Sequence, residues 1–273
     1  MAPYLLYIYL VIYVRPIADN CSDANPLPLN PALHAPSPDE VAFLKATTGI
    51  DDDDELNSIQ VAPYPCFYGF GFIKTAISAQ PVYQDHLNSG RDRKDAILLE
   101  VGCGLSAEAR RVALNGFPAH NIVSTDIVQV VPPTRGPAQN SLPDLLSLTS
   151  LSPLHGHCSV ITASVFFQLF TEEQVHLARA LAGLLSPEPG SLICSVNMGA
   201  KVKGLVHYNT TGKDFNLFPH LEELWDGTVF EKGEIDVWAK YGEVEFMGEK
   251  ILICFANSLS RRNKVSSDTR HQE

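Results

Sequence analysis

The chain has 273 residues, of which 45% are apolar and 19% charged, the balance of a soluble globular protein with one sizeable core and additions. Its 31 acids against 20 bases leave a formal net charge of −11, and no basic patch carries interleaved aromatics, which argues against nucleic acid as a partner. Six cysteines are scattered without a C-x-x-C pair, the usage of a reduced cytoplasmic protein rather than a disulfide scaffold.

The first element in chain order is an apolar run, PYLLYIYLVIYV. It is too short to span a bilayer as a helix and lacks the basic start of a signal peptide. A strand, an interfacial membrane anchor through residues 4–14 and a misassigned gene start all stay open. The proline-rich stretch that follows reads as a linker. At Ser37-Pro38-Asp39-Glu40 a serine, a proline at the first helical position and an acid at the third form a capping box, and VAFLKATTG continues as a helix to Gly49. The acidic run Asp51 to Glu55 lacks the ligand spacing of a calcium loop and reads as solvated. VAPYPCFYGFGF, residues 61–72, reads from composition as a packed aromatic connection.

From Asp95 the pattern alternates. AILLEV is a strand, SAEARRVALNG a helix closed by Gly116, and NIVSTDIV a second strand. Residues 132–158 are rich in proline and serine and look irregular. Within them His155-Gly156-His157 offers two metal-type ligands without a third, so no metal site is expected. SVITASVFFQLF begins as a strand. The helix TEEQVHLARALAGLLS follows, with Thr171 and Gln174 spaced as a second capping box and Val175, Leu177, Ala178, Leu181, Leu184 and Leu185 on its apolar face. PGSLICSVNMG and EKILICFANSL complete the set of buried strands, and the last residues form a polar tail. Strands separated by helices predict a mostly parallel α/β sheet with ligands at its carboxyl ends.

The stretch AILLEVGCGLSAEA carries the chemistry. Gly102 and Gly104 sit where a strand turns into a helix, and without Cβ atoms they permit a tight turn and close approach of a ligand. Glu100 ends the strand and is expected to face that ligand. Asp126 ends the next strand, where a carboxylate can accept both hydroxyls of a ribose. Through Gly102, Gly104 and Ala107 the motif reads as a weak dinucleotide fingerprint. An acid two places before the first glycine suits a cationic ligand better than a pyrophosphate.

Acid-x-G-x-G resembles the first motif of S-adenosylmethionine-dependent methyltransferases. AILLEVGCG, the acid of STD, ASVFFQLFTEEQ, LARALAGLLSPEPGSLI and LEELWDG in this order resemble the small fungal methyltransferases of basidiomycete genomes and, more distantly, of meroterpenoid biosynthetic clusters. The likeness runs over about residues 37–256. It implies an α/β, Rossmann-like class I methyltransferase sheet with an N-terminal helical extension. The organisation expected is an apolar segment and linker (1–36), a helical and aromatic cap (37–94), the methyltransferase domain (95–260) and the tail (261–273).

The resemblance further implies S-adenosyl-L-methionine as cofactor and methyl transfer to a small-molecule acceptor, at oxygen in the meroterpenoid cases. Glu100, Gly102 and Gly104 would hold its methionine part and Asp126 its ribose. The APYPCF segment, with Tyr64 and Phe67, and Phe167 would close the site around the acceptor. Three departures stand out. Ser106 replaces a glycine. Gln168 replaces a histidine in FFHLF and can hydrogen-bond but cannot take a proton. Between Asp126 and Val160 the family places a helix, a third strand and an adenine-side acid, where this chain has a proline-laced interval, so the sheet can lack a strand. Gln168 and His207, the latter in the loop expected after the fifth strand, are the catalytic candidates. A non-catalytic relative that has lost the cofactor is the alternative, and a nicotinamide-nucleotide oxidoreductase a third reading.

Overall fold

The computed structural model describes residues 12–13, 38–53, 77–80, 82–104, 106–126, 143–145, 148, 150–167, 170, 174–199, 204–208, 213–217, 224–246 and 249–261. Among them the strands are β1 (Ile12–Tyr13), β2 (Ile97–Val101), β3 (Ile122–Asp126), β4 (Cys158–Thr162), β5 (Leu192–Gly199), β6 (Gly204–Tyr208), β7 (Lys213–Leu217), β8 (Ile235–Phe246) and β9 (Glu249–Arg261). The helices are α1 (Pro38–Thr48), α2 (Tyr83–Asp92), α3 (Ala107–Leu114) and α4 (Gln174–Leu184). Seven strands form one sheet in the order β1-β3-β2-β4-β5-β9-β8, and β6 and β7 form a separate antiparallel hairpin.

β1 to β5 run parallel within the sheet, while β9 is antiparallel to β5 and β8 antiparallel to β9. β2 and β4 are buried at every position, as the continuous apolar runs require for strands covered on both faces. Pleating sends alternate residues to opposite faces. Leu98, Val160, Leu192 and Cys194 pack with Ile77, Leu87, Val112 and Phe117, so α2, α3 and the short turn Ile77–Ala79 cover one face. Leu99, Ile161 and Ile193 pack with Leu177, Leu181 and Trp225, which puts α4 on the other.

The sequence expectation of a parallel α/β sheet holds for β2 to β5. The antiparallel strand β8 is an addition, hidden because Asp236, Lys240 and Glu243 interrupt its apolar pattern on an exposed face. Between Asp126 and Cys158 the described residues include the 3-10 turn Ser152–Leu154 and no strand. The sheet does not stop at β3, however. Residues 12–13 of the N-terminal apolar run take the edge, with Ile12 opposite Thr125 and Tyr13 opposite Asp126. That is the strand option for this segment; residues 4–11 and 14 lie outside the described residues. Among the described residues no helix is long and apolar enough to cross a membrane.

Two local expectations concern α4 and His207. α4 is described from Gln174, whose side-chain amide donates to the Phe167 carbonyl at 2.9 Å and ties the helix to the segment after β4; Thr171, the other half of the expected capping box, lies outside the described residues. His207 sits in β6, in register with Asp214 of β7, and not in a loop. The backbone pairs there because G-L-V-H-Y and K-D-F-N-L each offer a short alternating run.

Candidate functional site

The turn between β2 and α3 is built from left-handed residues. Gly102, Gly104 and Ser106 have φ of 69°, 51° and 54°. Glycine adopts this region freely; for serine it costs roughly 1–2 kcal/mol. The turn is fastened to the end of β3 by three bonds. The N–H groups of Gly102 and Cys103 both donate to the Thr125 carbonyl, at 2.8 and 3.1 Å, and that of Gly104 donates to Asp126 Oδ2 at 2.6 Å. Asp126 Oδ1 has no partner among the described residues. A half-buried carboxylate at the carboxyl end of a parallel strand, with one oxygen occupied and one open, sits where open α/β sheets bind ligands.

Glu100 does not face outward. It is 4% exposed and accepts a hydrogen bond from Ser124 Oγ at 2.9 Å. Burial pushes its carboxyl up to about 8, with the nearby Glu108 adding to the rise, while Ser124, the Ala109 N–H and Arg110 act the other way. The register explains the placement. Ser124, Glu100, Thr162 and Cys194 are neighbours across β3, β2, β4 and β5 and share one face. That face is the one covered by α2 and α3, so the acid points beneath the helices instead of out of the strand end.

Around it the α3 side is polar. Glu108 Oε1 accepts the N–H of Ile77 at 3.1 Å, docking the 77–80 turn on α3, and Gln80 Nε2 donates to the Ser195 carbonyl at 3.4 Å. Arg111 stacks over the ring of Phe43, 3.9 Å from its centroid, which seats α1 against α3.

Of the expected acceptor-side residues, Phe167 is buried at 3% exposure and packs edge-on against Trp225, with centroids 5.8 Å apart. It serves the core on the α4 face. The residue that reaches the glycine turn is its neighbour: a Cβ placed on Gly102 would lie 2.6 Å from the Phe166 ring. Val165, just before the two rings, has a φ of 56°, and no pattern of residue types announces a left-handed valine. Gln168, Tyr64 and Phe67 lie outside the described residues, and for His207 the strand position alone is given.

Comparison with curated proteins finds similarity to methyltransferases of fungal origin. It is 25% identical over 206 residues to the methyltransferase trt5 of Aspergillus terreus, covering 67% of this chain and 72% of that protein. It is 31% identical over 146 residues to the Asnovolin E/Chermesin D methyltransferase nvfJ of Aspergillus novofumigatus, covering 48% and 51%. With the O-methyltransferase atr3 of Stereocaulon alpinum the identity is 28% over 154 residues, covering 52% and 44%. The chain resembles fungal methyltransferases. No protein-family model matches it.

The matched segment thus spans between about half and seven-tenths of these methyltransferases' own lengths. Among solved structures the chain is similar to the 1,6-didemethyltoxoflavin-N1-methyltransferase of Burkholderia thailandensis, with 11% identity, 84% and 92% coverage and a TM-score of 0.41. It is likewise similar to the magnesium protoporphyrin IX methyltransferase of Synechocystis, with 13% identity, 83% and 99% coverage and a TM-score of 0.38. At the carboxyl ends of β2 and β3 the chain thus presents a glycine turn pinned to β3 and one open carboxylate oxygen of Asp126, with Glu100 buried behind them on Ser124.

Proposed function

We propose that the chain binds S-adenosyl-L-methionine at the carboxyl ends of β2 and β3 and transfers its methyl group to a small-molecule acceptor, at an oxygen. The observation that carries this reading is Asp126, with Oδ2 on the Gly104 N–H and Oδ1 unpaired, among the described residues, beside a left-handed glycine turn. The likeness to fungal methyltransferases, one of them an O-methyltransferase, supports it.

The residues present fit the cofactor in part. A free carboxylate oxygen suits a vicinal diol, so Asp126 would hold the ribose. Gly102 and Gly104, partly exposed and lacking Cβ atoms, would lie along the methionine part. Glu100 fits only indirectly: buried and bonded to Ser124, it would act by holding the turn and the start of α3. When bound, the cofactor supplies an electrophilic methyl on a sulfonium. The chain's task is then to orient the acceptor in line and exclude water, which needs few reactive side chains. A carboxylate acceptor needs no base. For a hydroxyl acceptor Gln168 and His207 remain the candidates to orient it, with Tyr64 and Phe67 closing the site. The same reading puts the enzyme in the cytoplasm, in keeping with the buried free thiols of Cys103, Cys158 and Cys194.

Calorimetric titration with S-adenosylmethionine and S-adenosylhomocysteine tests the reading. Micromolar-range binding that Asp126→Ala abolishes is expected. A folded protein that binds neither would leave a methyltransferase-like chain without the activity.

A further inference from the structure

After β4 two aromatic rings share one core. Phe167 packs beside Trp225, and Phe166 packs edge-on against Phe167, with centroids 6.4 Å apart. Phe166 also reaches the glycine turn: a Cβ on Gly102 would meet its ring atoms at 2.6, 3.2 and 3.4 Å. The ring is 4% exposed and is braced edge-on by Phe170, with centroids 5.0 Å apart and planes at 63°. Val165, the residue before it, has a φ of 56° while 44% exposed, its N–H held by the Val196 carbonyl at 2.6 Å. A β-branched residue in this region is a strained outlier, at a cost on the order of 1–3 kcal/mol.

Gly102 is therefore gripped from two sides. Its N–H is fixed to β3 through the Thr125 carbonyl, and its Cα face is fixed to the end of β4 through the Phe166 ring. The first contact sets the height of the turn. The second sets its lateral position, because a ring edge in van der Waals contact leaves the Cα no room to slide. We propose that Phe166, acting through Gly102, is a positioning residue for the amino-acid end of the cofactor. This rests on the cofactor reading given above and goes beyond it by separating two halves of the site. The ribose half, at Asp126, is independent of Phe166; the methionine half, along Gly102, depends on it.

The test compares two ligands on Phe166→Leu. S-Adenosylhomocysteine carries both halves, and 5′-methylthioadenosine carries the ribose and sulfur without the amino acid. The variant is expected to bind S-adenosylhomocysteine about tenfold or more weakly, since small displacements of a positioning contact are costly, and to bind 5′-methylthioadenosine as the natural chain does. Should Phe166→Leu fail to fold, Phe166→Met, closer in length and flexible, carries the same comparison. Equal weakening of both ligands would overturn the proposal, because it would mean general disruption, and so would unchanged binding of both. If the natural chain binds neither ligand, the cofactor reading itself falls, an outcome distinct from a variant that behaves like the natural chain.

Discussion

Glu100 and Ser124 meet across adjacent parallel strands, carboxylate to hydroxyl at 2.9 Å, in the buried interior of the sheet. With the carboxyl raised from 4.5 to about 8, the native state holds this proton more tightly than the unfolded chain. The stability it brings is complete below about pH 4.5 and is lost as pH rises through 8. His86, fully buried in α2, behaves in the opposite sense: burial lowers it from 6.5 to about 4, so its contribution is complete above pH 6.5 and is lost as pH falls through 4.

Between about pH 4.5 and 6.5 the two slopes oppose each other, which predicts a plateau of stability there and a decline above it. A tenfold difference in proton affinity between the folded and unfolded chain is worth about 1.4 kcal/mol, so the decline toward pH 8 amounts to a few kcal/mol. Urea unfolding at half-unit pH steps measures it. Glu100→Gln should flatten the alkaline limb and leave the acid limb in place; an unchanged alkaline limb would show that another group controls it.

Ser106 occupies a left-handed position, φ 54° and ψ 36°, that glycine tolerates without penalty. Ser106→Gly relieves roughly 1–2 kcal/mol of backbone cost and gives back part of it through the larger entropy of the unfolded chain. A net stabilisation of up to about 1 kcal/mol is expected from the shift in urea midpoint. A destabilised variant would mean that the serine hydroxyl, which lies beside the Cys103 thiol, matters more than the backbone.

Gly90 tests the attachment of α2. In a free helix Gly→Ala would help by about 1 kcal/mol. Here a Cβ would stand 2.4 Å from the ring of Phe117, itself 2% exposed and unable to yield. Overpacking of a closed core costs about 1–3 kcal/mol, so Gly90→Ala is expected to lower the melting temperature. A rise would mean that α2 can lift away from the sheet.

Asp126→Asn separates the two uses of its carboxylate. The amide oxygen can still accept the Gly104 N–H, whereas the charge is gone. Losing a charge-assisted bond costs about 1.5–3 kcal/mol, so S-adenosylhomocysteine should bind at least tenfold more weakly while the melting temperature moves little. Asp126→Ala should lose both. Equal behaviour of the two variants would show that holding the turn is the whole of the residue's role.

Much of this was legible in the residues. The runs ILLEV and CSVIT announce fully covered strands because nothing charged interrupts them except Glu100, and the apolar face of α4 follows from its spacing. The position of Asp126 was legible, since it ends β3 beside the glycine turn and accepts the Gly104 N–H there. Glu100 was not: whether a strand-end acid faces out or under a helix depends on register with Ser124 and Thr162, which is a tertiary property. Nor was it legible that the Phe166 ring abuts Gly102, which is a contact between the end of β2 and the segment after β4. The edge strand at residues 12–13 pairs with partners from the far side of the proline-rich linker, and no local pattern encodes that choice.

That edge pairing bears on how the chain is made. Ile12 and Tyr13 leave the ribosome long before Thr125 and Asp126 exist to receive them. Parallel pairing over such a separation is slow, since the loop must close before the contacts reward it. In the interval an apolar, aromatic segment stands unpaired in the nascent chain, a target for chaperones and for self-association. Because β3 must exist before β1 can pair with it, β1 is expected to join that edge of the sheet late.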